Sequence, residues 1–204
     1  TNADCYDVSY VVGSLEVIKQ SGGGSSSSGS GSSGGGSSSG SDSTIINRPD
    51  ADDPTTPTTA ETKPVKADSK GEALLTGSMV SDAISVAQSD ARKNGNTANG
   101  IAVVVPVEIS GTLKDVQITL KADALDKLVS SGVKRFTVDA DRMADFGFTL
   151  DTLKELNRQT SGDVILKINA VTVSSEEAKA AIGSRPVYDI TLCHLAGGKE
   201  RPVS

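Results

Sequence analysis

Residues 118–128 read ITLKADALDKL and residues 146–156 read FGFTLDTLKEL, and laying one on the other at an offset of 28 decides the fold. Ile118 falls on Phe146, Leu120 on Phe148, Asp123 on Asp151, Leu125 on Leu153 and Leu128 on Leu156. The same offset carries Phe136 and Val138 onto Val164 and Leu166. Each copy opens with alternating apolar residues, the period of a half-buried strand, and passes into leucines three apart, the spacing of one helix face. It closes on a second alternating run. Asp123 and Asp151 stand where a cap or first-turn carboxylate favours a helix N-terminus. One strand–helix–strand piece cannot bury its own apolar face, so two adjoining copies are expected to pack on each other.

Outward from this pair, the chain from 70 to 192 reads as one α+β module, with small helices on mixed or antiparallel sheet. Ser78 is the expected cap of a helix over 79–93, in which Met79, Val80, Ala83, Ile84, Ala87 and Ala91 recur near helical spacing, with Arg92 and Lys93 in the last turn. A polar loop, NGNTANG, leads to a β-branched strand over 101–109, whose Pro106 requires an edge, a bulge or an unpaired site. A strand over 116–120 begins the repeat. After Val173, SSEEAKAAIG predicts a short helix capped by Ser174 or Ser175 and ended by Gly183, and VYDITL at 187–192 predicts a final strand. Residues 193–204 read as a tail or a truncated hairpin. The expected core includes Ile84, Val103, Ile118, Leu125, Leu128, Phe136, Phe148, Leu153, Leu156, Leu166 and Ile190.

The N-terminal third has a different character. Residues 1–19 hold YDVSYVVGSLEVI, two alternating runs around Gly13-Ser14, the signature of a hairpin too small to stand alone. They are expected to be the last strands of a β-module that begins upstream. Residues 21–41 are twelve serines and nine glycines, a flexible coil with a root-mean-square reach of roughly 25 Å. Residues 42–69 add Pro49, Pro54, Pro57 and Pro64 among threonines and acids, so the whole of 20–69 is expected to be a linker without packing.

The formal charge is −6, from 26 acidic and 20 basic residues, and no segment concentrates it. Nucleic-acid binders neutralise phosphates with a basic stripe, and none is present, so nucleic acid is excluded as a partner and an anionic membrane surface with it. No apolar run approaches the roughly 20 residues needed to cross a bilayer, so no direct membrane insertion is expected. The opening TNADCYDVSY lacks the basic and apolar regions of a signal peptide, which says little about export for a chain that starts in mid-strand.

Chemistry is sparse. Cys5 and Cys193, the two cysteines, are expected to be small unbridged hydrophobes. His194, the lone histidine, stands beside Cys193 and suggests a nucleophile–base dyad, but neighbours on a strand face opposite ways. Asp139, Asp141 and Asp145 invite comparison with a calcium loop. Met143, Ala144 and Leu150 stand where an EF-hand needs an oxygen ligand, a glycine and a glutamate, so a polar turn between the repeats is expected. Glu72, Glu108 and Glu155 are scattered acids with no visible partner across a cleft, and Glu155 with Arg158 is an ordinary helix pair. With no tryptophan, and Phe136, Phe146 and Phe148 on core positions, the aromatic platforms of sugar binding are missing. No catalytic, cofactor-binding or metal-ligating residue is assigned, and no cofactor is expected.

YDVSYVVGSLEVIK resembles the closing strands of MBG/YDG-type β-modules, which occur in tandem in large bacterial surface proteins and share an aromatic–x–x–x–Tyr–x–x–Gly–x–Leu–x–Val run. Residues 116–138 and 146–168, with 175–183 and RPVYDITL at 185–192, resemble the C-terminal α/β modules of cell-surface proteins from Gram-positive, clostridial-type bacteria. The second resemblance spans about 60% of the chain. No LPxTG-like sorting motif stands in the sequence. The resemblance implies a non-catalytic structural or adhesive segment of an exported protein, placed outside the cell at the surface or cell wall. Neighbouring surface modules would be its partners, with a host or cell-wall polymer as a further target. The alternative is a non-catalytic accessory region of a secreted carbohydrate-active enzyme, and a third reading is a free-standing intracellular enzyme built on residues 72–192, which loss of activity on changing Cys193 or His194 would support.

Overall fold

The structure is a computed structural model that describes residues 42–49, 54–160, 162–172, 174–176, 180, 183 and 187–203. The hairpin expected near the N-terminus, Cys5, the Ser/Gly run and most of the helix expected after Ser174 lie outside the described residues.

The repeat folds as its pattern requires. Its first copy is strand β6 (Asp115–Leu120), helix α2 (Ala122–Ser130) and strand β7 (Arg135–Asp139). The second is β8 (Asp145–Thr149), α3 (Leu150–Gln159) and β9 (Val164–Ala170). The copies pack on each other, as expected, and they do so in both sheets. β6 pairs antiparallel with β9 in one sheet, and β7 pairs antiparallel with β8 in the other. Each copy therefore begins in one sheet and ends in the other. Leu125, Leu128, Leu153 and Leu156 are buried, and Phe136 stacks on Phe148 with ring centroids 6.1 Å apart.

A third strand–helix–strand unit precedes them, with strand β4 (Glu72–Leu75), helix α1 (Gly77–Lys93) and strand β5 (Ile101–Glu108). β4 runs parallel to β6, with Leu75 opposite Leu120, and β5 runs parallel to β7, with Val103 opposite Phe136. α1 starts two residues before the expected helix. Its N-cap is Thr76 and not Ser78, and Thr76 makes no side-chain cap bond because its hydroxyl lies 3.0 Å from that of Ser78. Asp123 and Asp151 are first-turn acids and not caps, since Lys121 and Thr149 hold the cap positions.

The expected boundary at residue 70 is corrected. Strands β1 (Thr44–Asn47), β2 (Thr58–Glu61) and β3 (Val65–Lys66) lie inside the stretch read as linker. β2 runs parallel to β5 with Ala60 opposite Val103, and both Thr58 and Ala60 are wholly buried. Threonine suits a pleated surface, and the apolar partner comes from β5, some forty residues downstream, so local composition conceals the strand. One sheet thus runs β1-β2-β5-β7-β8 with β3 also on β5, and the IAVVVPVE of β5 is the nearly unbroken apolar run of a covered interior strand.

Pro106 finds an unpaired site within that interior strand. Val104 and Glu108 accept bonds from Thr62 and Ala67, so the even-numbered groups of β5 face this side. β2 pairing stops at Val104 and β3 pairing starts at Val107. The missing N–H of Pro106 falls in the gap.

The C-terminal boundary is corrected as well. Strand β10 spans Tyr188–Ala196 and turns through Gly197 and Gly198 into β11 (Lys199–Pro202). Both glycines have positive φ, 59° and 77°, as a two-residue hairpin turn demands. Residues 193–202 complete the sheet, which runs β11-β10-β9-β6-β4. Side chains from both sheets and from helices α1, α2 and α3 meet in one core.

Candidate functional site

β10 decides the cysteine–histidine question. Cys193 lies between Ile165 and Pro202 in the ladder, and His194 between Val164 and Arg201. Val164 belongs to the core cluster and Ile165 does not, so His194 shares the core-facing side of the sheet and Cys193 the other. The thiol is 2% exposed. The sheet separates thiol from imidazole, and His194 Nδ1 is buried without a hydrogen-bond partner among the described residues. A base with no link to its nucleophile cannot take that nucleophile's proton.

The three aspartates sit at the tip of the β7–β8 hairpin. Asp139 and Asp145 are cross-strand partners, Met143 N–H donates to Ala140 O at 3.0 Å, and Asp141 N–H donates to Asp139 Oδ1 at 3.0 Å. Asp141 takes a left-handed φ of 51°, which aspartate tolerates in turns. Burial, and then the charge of Asp145, push the Asp139 carboxyl above its ordinary range. Among the described residues no three acidic, histidine or cysteine side chains are grouped to hold a metal ion.

The scattered glutamates stay scattered. Glu72 is exposed on β4, Glu108 lies 3.6 Å from Lys66, and Glu155 on α3 accepts from Arg158 Nε at 2.9 Å and Gln159 Nε2 at 2.8 Å. The Arg158 hydrogen bond, helped by Gln159, holds Glu155 down at about 2. Phe136 and Phe146 are wholly buried and Phe148 partly so, which removes them as exposed sugar platforms. Tyr188 packs partly on the core, while Tyr6 and Tyr10 lie outside the described residues.

Two polar constellations escaped the sequence reading. Asp163, just before β9, accepts from Lys121 Nζ at 2.7 Å and from Ala122 N–H at 3.0 Å, so one copy of the repeat supplies the missing cap for the helix of the other. That hydrogen bond also raises the Lys121 ammonium above its ordinary value. Arg48 donates from Nε and Nη2 to the two carboxylate oxygens of Asp90 on α1, each at 2.8 Å. No motif marks either pair, because their members stand some forty residues apart.

Open space is of two kinds. Inside the core a gap of about 20 Å³ is lined by apolar side chains, among them Leu75, Ile118, Phe136, Phe148, Leu153 and Leu192. It has room for roughly one water and no polar group to hold it. On the surface a cleft of about 300 Å³ lies between the N-terminal strand region and α1, bounded by Asp42, Thr62, Lys63, Ser78, Met79 and Asp82. Lys63 and Asp42 pair across its rim. The cleft is large enough for a small ligand, and the hydroxyls of Ser78 and Thr62 on its wall are engaged with Thr76 and with the Lys63 carbonyl.

No family model, no curated protein and no solved structure matches this chain.

Proposed function

We propose that this chain is a non-catalytic structural or adhesive segment of an exported bacterial cell-surface protein. In this reading a packed α+β module is held away from its neighbours by the Ser/Gly run. The observation that carries it is how the module uses its side chains. Three strand–helix–strand units direct their apolar residues at one another, and the carboxylates of Asp163, Asp139 and Glu155 are committed to a cap, a turn and an ion pair. Such an arrangement suits a body that must persist between other modules. A Ser/Gly composition over 21 residues is what such a spacer would use.

The test is placement and attachment. Antibodies raised against residues 42–203 are applied to intact and to lysed cells of the source bacterium. Purified chain is incubated with insoluble cell wall and with immobilised host matrix. Labelling of intact cells, with retention on one of the two polymers, is the expected result. Labelling of lysed cells alone overturns surface display, and sugar release by the full-length protein that depends on this segment moves it to the accessory-region reading.

A further inference from the structure

We propose that β1 is a strap that leaves its sheet while β2 and everything behind it stay folded. β1 is a four-residue edge strand whose pairing with β2 is broken by a register shift between Ile45 and Asn47. Of residues 42–48, Ser43 alone is buried and Ile45 partly so, while Ile46 stands 50% exposed. Its polar side-chain ties to the body are the pairs Arg48–Asp90 and Lys63–Asp42, with Arg48 54% and Asp90 14% exposed and Lys63 67% exposed, and Ile45 packs in part on the core. Exposed pairs of this kind weaken as salt rises. The cleft of about 300 Å³ lies along the same seam, between Asp42 and Ser43 of the strap and Ser78, Met79 and Asp82 of α1. β2 is held differently. It lies under α1 with Thr58 and Ala60 wholly buried, and it pairs with β5 on the side away from the strap. Regions with few buried contacts open separately from the core.

The opening itself does not depend on the cell-surface reading, but its use does. In a surface spacer, residues 42–49 drawn out at about 3.3–3.6 Å each would add at most roughly 28 Å to the N-terminal tether. The module behind it would stay intact. Pull on the Ser/Gly run reaches the strap before any other described element.

Hydrogen-bond direction gives a sharp test. Thr58 and Thr62 donate to Gly100 and Val104 on the β5 side, so Thr58, Ala60 and Thr62 face β5, and Thr59 and Glu61 face β1. Native-state hydrogen exchange on the full chain, corrected for intrinsic rates, is followed in low urea. Thr59 and Glu61 are expected to exchange at least tenfold faster than Ala60 and Thr62, with almost no urea dependence. Arg48→Ala should speed Thr59 and Glu61 by a further two- to fivefold and leave Ala60 and Thr62 unchanged. Equal rates and urea slopes for all four amides, or an equal response of all four to Arg48→Ala, would overturn the strap. Either result leaves cell-surface labelling untouched, so the two proposals fail separately.

Discussion

Gly71 sits at the entrance to β4 with φ +83°, and a Cβ added there would fall inside the shell of the Asp115 carbonyl oxygen. Gly198, in the last hairpin, has φ +77° but open space around it. Both positions penalise an L side chain, and only the first adds a collision with backbone. Gly71→Ala is expected to cost about 2 kcal/mol or more, against about 1 kcal/mol for Gly198→Ala, in urea unfolding. Leu125 and Leu153, matched across the repeat, are each almost wholly buried. Truncating either to alanine should cost about 2–5 kcal/mol, whereas Leu74→Ala, at a side chain 49% exposed, should cost far less. Asp139 gives a pH signature. Its carboxyl is raised in the folded chain, so the folded state binds the proton more tightly than the unfolded state does. Its contribution to stability therefore falls as pH rises from the ordinary carboxylate value through the raised one. Asp139→Asn keeps the acceptor for Asp141 N–H and is expected to increase neutral-pH stability and flatten that dependence. An unchanged pH–stability curve would count against the assignment.

At the scale of the element, the helices of the repeat differ in how they begin. α3 has its own cap, with Thr149 accepting from Thr152 N–H at 3.3 Å, while α2 borrows the Asp163 carboxylate from the far end of the second copy. Asp163→Ala should cost about 1–2 kcal/mol and fray the first turn of α2, seen as faster amide exchange at its start. Thr149→Ala should cost about 1 kcal/mol with the fraying confined to α3. The contrast bears on what the sequence could disclose. Strand–helix–strand order, the buried leucine pairs and the positions of β6 to β9 were legible because each follows from the spacing of neighbouring residues. The borrowed cap was not, because a carboxylate some forty residues away leaves no local mark. The helix and second strand of the first unit were expected, but its kinship with the repeat escaped notice for a related reason. Its longer helix and the loop at 94–100 shift the register from 45 residues at Leu75–Leu120 to 33 at Val103–Phe136, so no single offset reveals it. β2 and β3 were hidden by prolines and threonines that elsewhere mark a linker.

At the scale of the molecule, these differences move the start of the folded body. Residues 58–66 cover the flank of β5, whose apolar run would otherwise be an open edge of the kind that promotes aggregation. A chain beginning at residue 70 is expected to be less soluble and less stable than one beginning at 42. Light scattering and thermal unfolding of the two would check this. Limited proteolysis should yield a resistant piece that retains 58–66; cleavage at 70 without loss of the remainder would refute the assignment of β2 to the sheet. The candidate site was legible to a smaller degree. Opposite facing of Cys193 and His194 follows from strand periodicity alone, but the surface cleft is formed by residues from separate elements that only the fold brings together.

The exchange of strands between the two copies also governs how the protein can be made. β6 stays without its antiparallel partner until Val164–Ala170 has emerged from the ribosome, and β9 in turn is flanked by β10, nearer still to the C-terminus. A nascent chain therefore carries an unfinished sheet from the emergence of β6 until Tyr188–Ala196 and Lys199–Pro202 have followed. Closure is late and concerted, and premature termination leaves a product that quality-control proteases can recognise.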